Sequence, residues 1–163
     1  LNKMATKIPG GLALRVSPRS SEAKTASAAD RGKSAEEQVR KWLDKLALQQ
    51  HNAIYRLPDA RAGSRLPTLA DFILCHRATM FLFEVKEVAH DFRLPHGNFD
   101  KAQVARMKRF CMAGAISAVL VRHSTTGLWR YTELETFASR EGGSWDLSDV
   151  PTATLEDVFG GFL

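Results

Sequence analysis

The chain is short of the residues on which several kinds of protein depend. Among its 163 residues are two cysteines and five histidines. Cys75 and Cys111 stand in apolar surroundings without metal-ligand spacing, so both are expected to be reduced, buried small side chains. The histidines are scattered, with no pair at ligand spacing on a helix, which argues against a zinc site. No apolar run approaches the roughly 20 residues that span a bilayer. The start of the chain has no secretory hydrophobic region, and Met4 offers itself as a start codon. Together these absences predict a soluble, cytoplasmic protein with no membrane partner. No internal repeat is visible, and the length fits one domain with enough apolar content, 44%, for a core.

What is present is unevenly distributed. The net charge is +5, but Lys3, Lys7, Arg15, Arg19, Lys24, Arg31 and Lys33 face only Glu22 and Asp30 in the first 33 residues. From position 133 onward the acids outnumber the single basic residue, Arg140. Residues 1–31, rich in Ala, Ser, Lys, Gly and Pro, are expected to form a flexible basic arm. Residues 32–163 are expected to form a single domain with an acidic C-terminal extension, from about 133, lying over its surface. A basic arm suits a polyanion, because phosphate contacts dominate nucleic-acid affinity, although a solvated tail has the same composition.

The stretch from Leu69 to Val88 carries the chemistry. Two apolar runs, Leu69 to Cys75 and Met80 to Val85, flank the polar connection from His76 to Thr79, which predicts a strand pair joined by a short turn. Within it stand Asp71, Glu84 and Lys86. Unpaired charge in a core strand is costly, so these three require partners or a metal ion. A spacing of two puts Glu84 and Lys86 on one face of their strand, with Phe83 and Val85 on the other. Pairing of the strands would bring Asp71 beside Glu84. Two such carboxylates either hold a divalent cation between them or form a plain salt bridge with Lys86.

Around this pair the elements fall in a simple order. Ser34 and Glu37 have the spacing of a capping box, which predicts a first helix from there to about Gln49, with Ala35, Val39, Trp42, Leu43 and Leu46 as its apolar stripe. Glu36 then borders the buried face and can look toward the strands, or can simply complement the positive helix end. Ala53 to Leu57 reads as a strand, followed by a loop from Pro58 to Pro67 that carries Arg61 and Arg65. After a polar connection from Glu87 to Asn98, a helix begins at Asp100 and runs to about Met112, where Gly114 ends it. Ala115 to Arg122 is apolar enough to be a central strand. Gly127 to Tyr131 is a further strand, and Glu133 to Ser139 is at most a short helix.

Helix, strand, Asp strand, E-V-K strand, helix and apolar strand is the αβββαβ order of the PD-(D/E)xK nucleases. Glu84-Val85-Lys86-Glu87-Val88, Phe92-Arg93-Leu94, Asn98-Phe99, Gln103-Val104, Met107, Gly114-Ala115-Ile116 and the run ending Leu120-Val121-Arg122 together resemble the RecU-type Holliday-junction resolvases. Their sequences carry E-A-K-E-T, F-P-L, N-F, H-Q, a basic helix, then G-G and an apolar strand ending in R-F. The resemblance covers roughly Arg31 to Tyr131. It departs where Thr68, Leu69 and Ala70 separate Pro67 from Asp71, and where the family's long stalk is represented only by Pro58 to Pro67. A compact, phage-encoded relative acting in a host cytoplasm would fit that abbreviation.

The resemblance implies a restriction-endonuclease-like α/β fold, with a mixed central sheet flanked by helices. It implies an endodeoxyribonuclease that resolves four-way DNA junctions by metal-dependent hydrolysis, with paired symmetric nicks made by a homodimer. Asp71 and Glu84 would be the metal ligands with the Val85 carbonyl, and Mg²⁺ the cofactor with Mn²⁺ able to substitute. Lys86 would be the catalytic lysine, Gln103 a helix glutamine near the site, and Glu36 the first-helix glutamate. Arg31, Lys33, Arg61, Arg65, Lys101, Arg106 and Lys108 are the candidates for contacts to branched DNA. The readings that stay open beside this one are a restriction-like nuclease on duplex, flap or damaged DNA, and a non-catalytic junction-binding protein.

Overall fold

The computed structural model describes residues 28–58, 68–89, 93–138 and 143–162. Arg61 and Arg65 lie outside the described residues, as does the side chain of Arg31.

The chain order is α1 (Ala28–Leu46), β1 (Asn52–Arg56), β2 (Phe72–His76), β3 (Thr79–Val88), β4 (Arg93–Pro95), α2 (Lys101–Met112), β5 (Ile116–His123), β6 (Trp129–Glu133), α3 (Leu134–Ala138), β7 (Ser144–Asp146), β8 (Thr152–Ala153) and α4 (Leu155–Phe159). Among the described residues a six-stranded sheet has the order β1-β2-β3-β5-β6-β8, and β4 pairs with β7 apart from it. Only β3 and β5 run parallel; the other neighbours in the large sheet are antiparallel. Parallel neighbours need a crossover, and the segment holding β4 and α2 provides it.

Both faces of the sheet are covered, which explains why β3 and β5 read as nearly continuous apolar runs. Ala35, Val39, Leu43 and Leu46 of α1, with Leu155 and Phe159 of α4, pack on Phe72, Leu74, Phe83, Val85, Ala118, Leu120 and Trp129. On the opposite face Met107 of α2, Leu134 of α3, and Leu94, Phe99, Trp145, Leu147 and Val150 pack on Ala70, Leu82, Val88, Val119 and Val121. The alternation predicted for β3 is therefore observed, with Phe83 and Val85 toward α1 and the even-numbered positions toward α2.

Three expectations are corrected. The first helix begins at Ala28, not Ser34, so no capping box forms; Ser34 sits inside the helix and Glu37 instead takes Arg40 at 2.6 Å. Gly32 lowers helix propensity by about 1 kcal/mol, which the rest of the helix carries. The segment after position 133 does not simply lie over the surface: Trp145, Leu147 and Phe159 are fully buried and belong to the two cores. Cys75 and Cys111 are free, as expected, but half-buried rather than enclosed.

The β2–β3 turn is two residues long, between the paired His76 and Thr79, and both turn residues have positive φ, 45° at Arg77 and 67° at Ala78. This is the hairpin turn whose twist matches the strands, and Gly or Asn would fill it with less strain. At the far end of α2, Gly114 has φ 95° and Ala115 N–H donates to Phe110 O at 2.9 Å, closing the helix in a Schellman arrangement.

Candidate active site

Asp71 immediately precedes β2, and its backbone is held on both sides. Leu57 N–H donates to Asp71 O, and Asp71 N–H to Phe83 O, each at 3.0 Å. Since Phe72 pairs with Phe83, the next position outward places Asp71 opposite Glu84. The side chain then turns onto β3 and accepts the Val85 N–H at Oδ2, 2.7 Å. In an extended strand a residue's N–H and C=O leave on the same side. The Val85 carbonyl therefore emerges on the edge of β3 that Asp71 occupies, past the end of β2.

Glu84 is 1% exposed, and both its oxygens are engaged. Lys86 Nζ donates to Oε1 in a short contact, and Gln103 Nε2 donates to Oε2 at 2.7 Å. Gln103 comes from α2, where it and Met107 form the buried face. Asp100 caps that helix by accepting from Ala102 N–H at 2.9 Å, which starts α2 so that Gln103 meets the strand. Lys86 lies 5.3 Å from the Phe99 ring centroid, so its ammonium also rests over an aromatic face.

Burial, reinforced by the charge of Glu84, pushes Asp71 up to about 8, while the Val85 N–H and Lys86 act against the shift. Burial raises Glu84 as well, with Lys86 opposing and Glu36 adding to the rise. For Lys86 burial disfavours the ammonium, yet Glu84, Asp71 and Glu36 outweigh it and hold its pKa above the usual lysine value. Two buried carboxyls that resist ionisation, next to a cation that does not, form a site short of positive charge. The donors are oxygen alone, which suits a hard divalent ion such as Mg²⁺ or Mn²⁺ rather than zinc. Among the described residues no group of three or more His, Cys, Asp or Glu side chains is placed to hold a metal. The donors at hand are Asp71, Glu84 and the Val85 carbonyl.

Glu36 is at the border, as its helical position predicted. Its carboxylate pairs with Arg56 at 2.9 Å, while its charge acts on Asp71, Glu84 and Lys86. Arg56, the last residue of β1, was not among the residues picked out by the sequence; the signal was an arginine ending an edge strand, and its partner lies 20 residues away. In the sequence Phe99 stands out only as half of the Asn98-Phe99 pair. Of the expected DNA contacts, Lys33 is exposed beside Glu36, and Lys101 and Lys108 are exposed on α2 away from Glu84. Arg106 is half-buried on the same helix.

The architecture is that of the restriction-endonuclease-like fold, with a mixed, mostly antiparallel sheet between helices. A solved structure similar to it is Hjc of Archaeoglobus fulgidus, described as a Holliday junction resolvase from an archaeal hyperthermophile. The two superpose with a TM-score of 0.52 over 78% of this chain and 99% of that one, at 19% identity. Likeness at that identity defines the fold. Neither a family model nor a curated protein sequence matches the chain. Among the described residues, no helix is long and apolar enough to cross a membrane.

Proposed function

We propose that the protein is a metal-dependent endodeoxyribonuclease acting on branched DNA, with the four-way junction as its substrate. The observation that carries this reading is the meeting of Asp71, Glu84 and Lys86 just before the start of β2, where β3 runs on past it, in a fold shared with a junction resolvase. Nothing about binding alone calls for two mutually repelling carboxyls, one of them fully buried, with a lysine paired to it.

Asp71 and Glu84, with the Val85 carbonyl, would hold one or two Mg²⁺ or Mn²⁺ ions. A bound ion supplies an activated water and neutralises charge on the scissile phosphate. Lys86 reaches this point with a donor already aimed at Glu84, so its ammonium can orient the attacking water or a phosphate oxygen. Gln103 acts by fixing the second oxygen of Glu84, which sets where the carboxylate faces. The RecU-type resemblance adds 5′-phosphate products and a two-fold homodimer, since symmetric nicks on opposed strands need one site per protomer. Lys33, Lys101, Arg106 and Lys108, with Arg31, Arg61 and Arg65, are proposed to contact backbone phosphates and to make binding steeply salt-dependent.

The test is cleavage of end-labelled four-way junctions beside linear duplex of the same sequence, with Mg²⁺, with EDTA, and with Asp71→Asn. Paired nicks on the junction alone, lost with EDTA and in the variant, are the expected result. Equal cutting of linear duplex would favour the restriction-like alternative. Tight junction binding with no cut strand would favour the non-catalytic one.

A further inference from the structure

Residues of α1 and the end of β1 line a cleft of ≈ 310 Å³, walled by Lys33, Glu36, Glu37, Arg40 and Arg56. Its cations are not equivalent. Arg40 is clamped within its own helix, with Nε and Nη2 on Glu37 at 2.8 and 2.6 Å and Nη1 on Asp44 at 2.9 Å. Two carboxylates balance its charge, so it has little left for a ligand. Lys33 is exposed at the cleft. Arg56 crosses from β1 to α1, and its contact with Glu36 is half open to solvent, with the side chains 51% and 24% exposed.

Glu36 therefore has two claims on it. Its charge is felt by all three residues of the candidate active site, while its oxygen is held by an arginine on the cleft wall. An exposed pair of this kind contributes only about 0–1 kcal/mol, so exchanging its anion costs little. A phosphodiester is an anion that a guanidinium binds with two parallel hydrogen bonds.

Building on the nuclease reading, we propose that this cleft seats a backbone phosphate of the substrate strand, which takes Arg56 from Glu36 and releases that carboxylate to join Asp71 and Glu84 in holding the divalent ion. Lys33 gives the phosphate its second cation. Arg56 is then a positioning residue: it withholds the third acid until a strand is present. Coupling of this kind is reciprocal, so DNA tightens metal binding and metal tightens DNA binding by the same factor.

The test is Mn²⁺ titration by calorimetry on the full chain without DNA, in the wild type, Arg56→Gln, Glu36→Gln and the double variant. Arg56→Gln is expected to raise Mn²⁺ affinity by up to about 5-fold, the most that an exposed pair can withhold, because Glu36 no longer has a competing partner. In the Glu36→Gln background the same change is expected to do nothing. Junction binding in EDTA should also lose about one unit of salt slope in Arg56→Gln. Arg56→Lys, which keeps the charge on this half-exposed edge position, serves as the fold control and should bind Mn²⁺ like the wild type. Unchanged Mn²⁺ affinity in Arg56→Gln, or an equal rise with and without Glu36, would overturn the exchange and leave the nuclease reading standing. Failure of every variant and the wild type to bind Mn²⁺ would overturn both.

Discussion

Asp71 accepts the backbone N–H of Val85 at 2.7 Å, so the strand carrying Glu84 and Lys86 also fixes the carboxylate that faces them. One side chain thus ends the β2 ladder and begins the site. Its position depends on backbone geometry rather than on rotamer choice alone, which holds the carboxylate in the fixed geometry that the proposed metal site requires.

The pH dependence of stability follows from that carboxylate. Asp71 sits at about 8 in the fold, against about 3.9 in an unfolded chain. Between those values the native state keeps a proton that the unfolded state has lost, so stability falls as pH rises from about 4 to about 8. Burial raises Glu84 in the same direction. Thermal melts in EDTA should therefore show a lower Tm at pH 8 than at pH 5. Asp71→Asn should flatten most of the difference, by about 1–3 kcal/mol or roughly 3–10 °C given partial exposure. A rise in Tm with pH would contradict the placement of Asp71.

Under the proposed function, Lys86→Met is expected to reduce cleavage by about 10²-fold or more while changing junction affinity little, because the proposed role of the ammonium is where charge develops rather than on the duplex arms. Single-turnover cleavage beside gel-shift binding separates the two. Loss of both together would count against the catalytic role.

Gln103→Leu removes the donor to Glu84 Oε2 in a position that is 8% exposed. An unsatisfied buried acceptor costs about 1–3 kcal/mol. Urea melts should register that loss, and cleavage should fall with no change in junction binding. A variant as active as the wild type would make Gln103 a packing residue only.

Trp145→Ala should destabilise the whole domain by about 3–5 kcal/mol, since the residue is 1% exposed and belongs to the core that Met107 and Leu134 share with the sheet. Cooperative urea unfolding is the measurement. A loss confined to the last 30 or so residues, roughly, would mean that they form a separate layer.

The β2–β3 turn offers a change in the other direction. Ala78 holds φ 67° and gains nothing from its methyl group. Ala78→Gly is expected to raise stability by about 0.5–1 kcal/mol after the extra entropy of glycine is subtracted. A lower melting temperature would show that the turn carries no strain.

Much of the architecture was legible from local chemistry. Period-two alternation put Glu84 and Lys86 on one face and Phe83 and Val85 on the other, and the apolar run from Ala115 to Arg122 announced a strand buried on both sides. Gly114 marked the end of α2 because only a residue without a side chain enters that backbone region freely. These features repeat within one or two turns of chain, so the sequence alone determined them.

Other features were decided by contacts between distant segments. Ser34 and Glu37 matched a capping box, but the helix gains more by running back to Ala28, and Glu37 then finds Arg40 one turn away. Trp145, Leu147 and Phe159 lie in a stretch whose acids made it look like surface, yet their burial depends on faces of a sheet whose strands lie well before them in the chain. The pairing of Arg56 with Glu36, and the amide of Gln103 on Glu84, join β1 to α1 and α2 to β3, elements that no spacing rule relates. By itself the sequence determined which strand bears the acids and the lysine, because side-chain alternation is a local property. Only the tertiary structure decided what each acid touches, because long-range packing sets the distance between elements and the water they exclude.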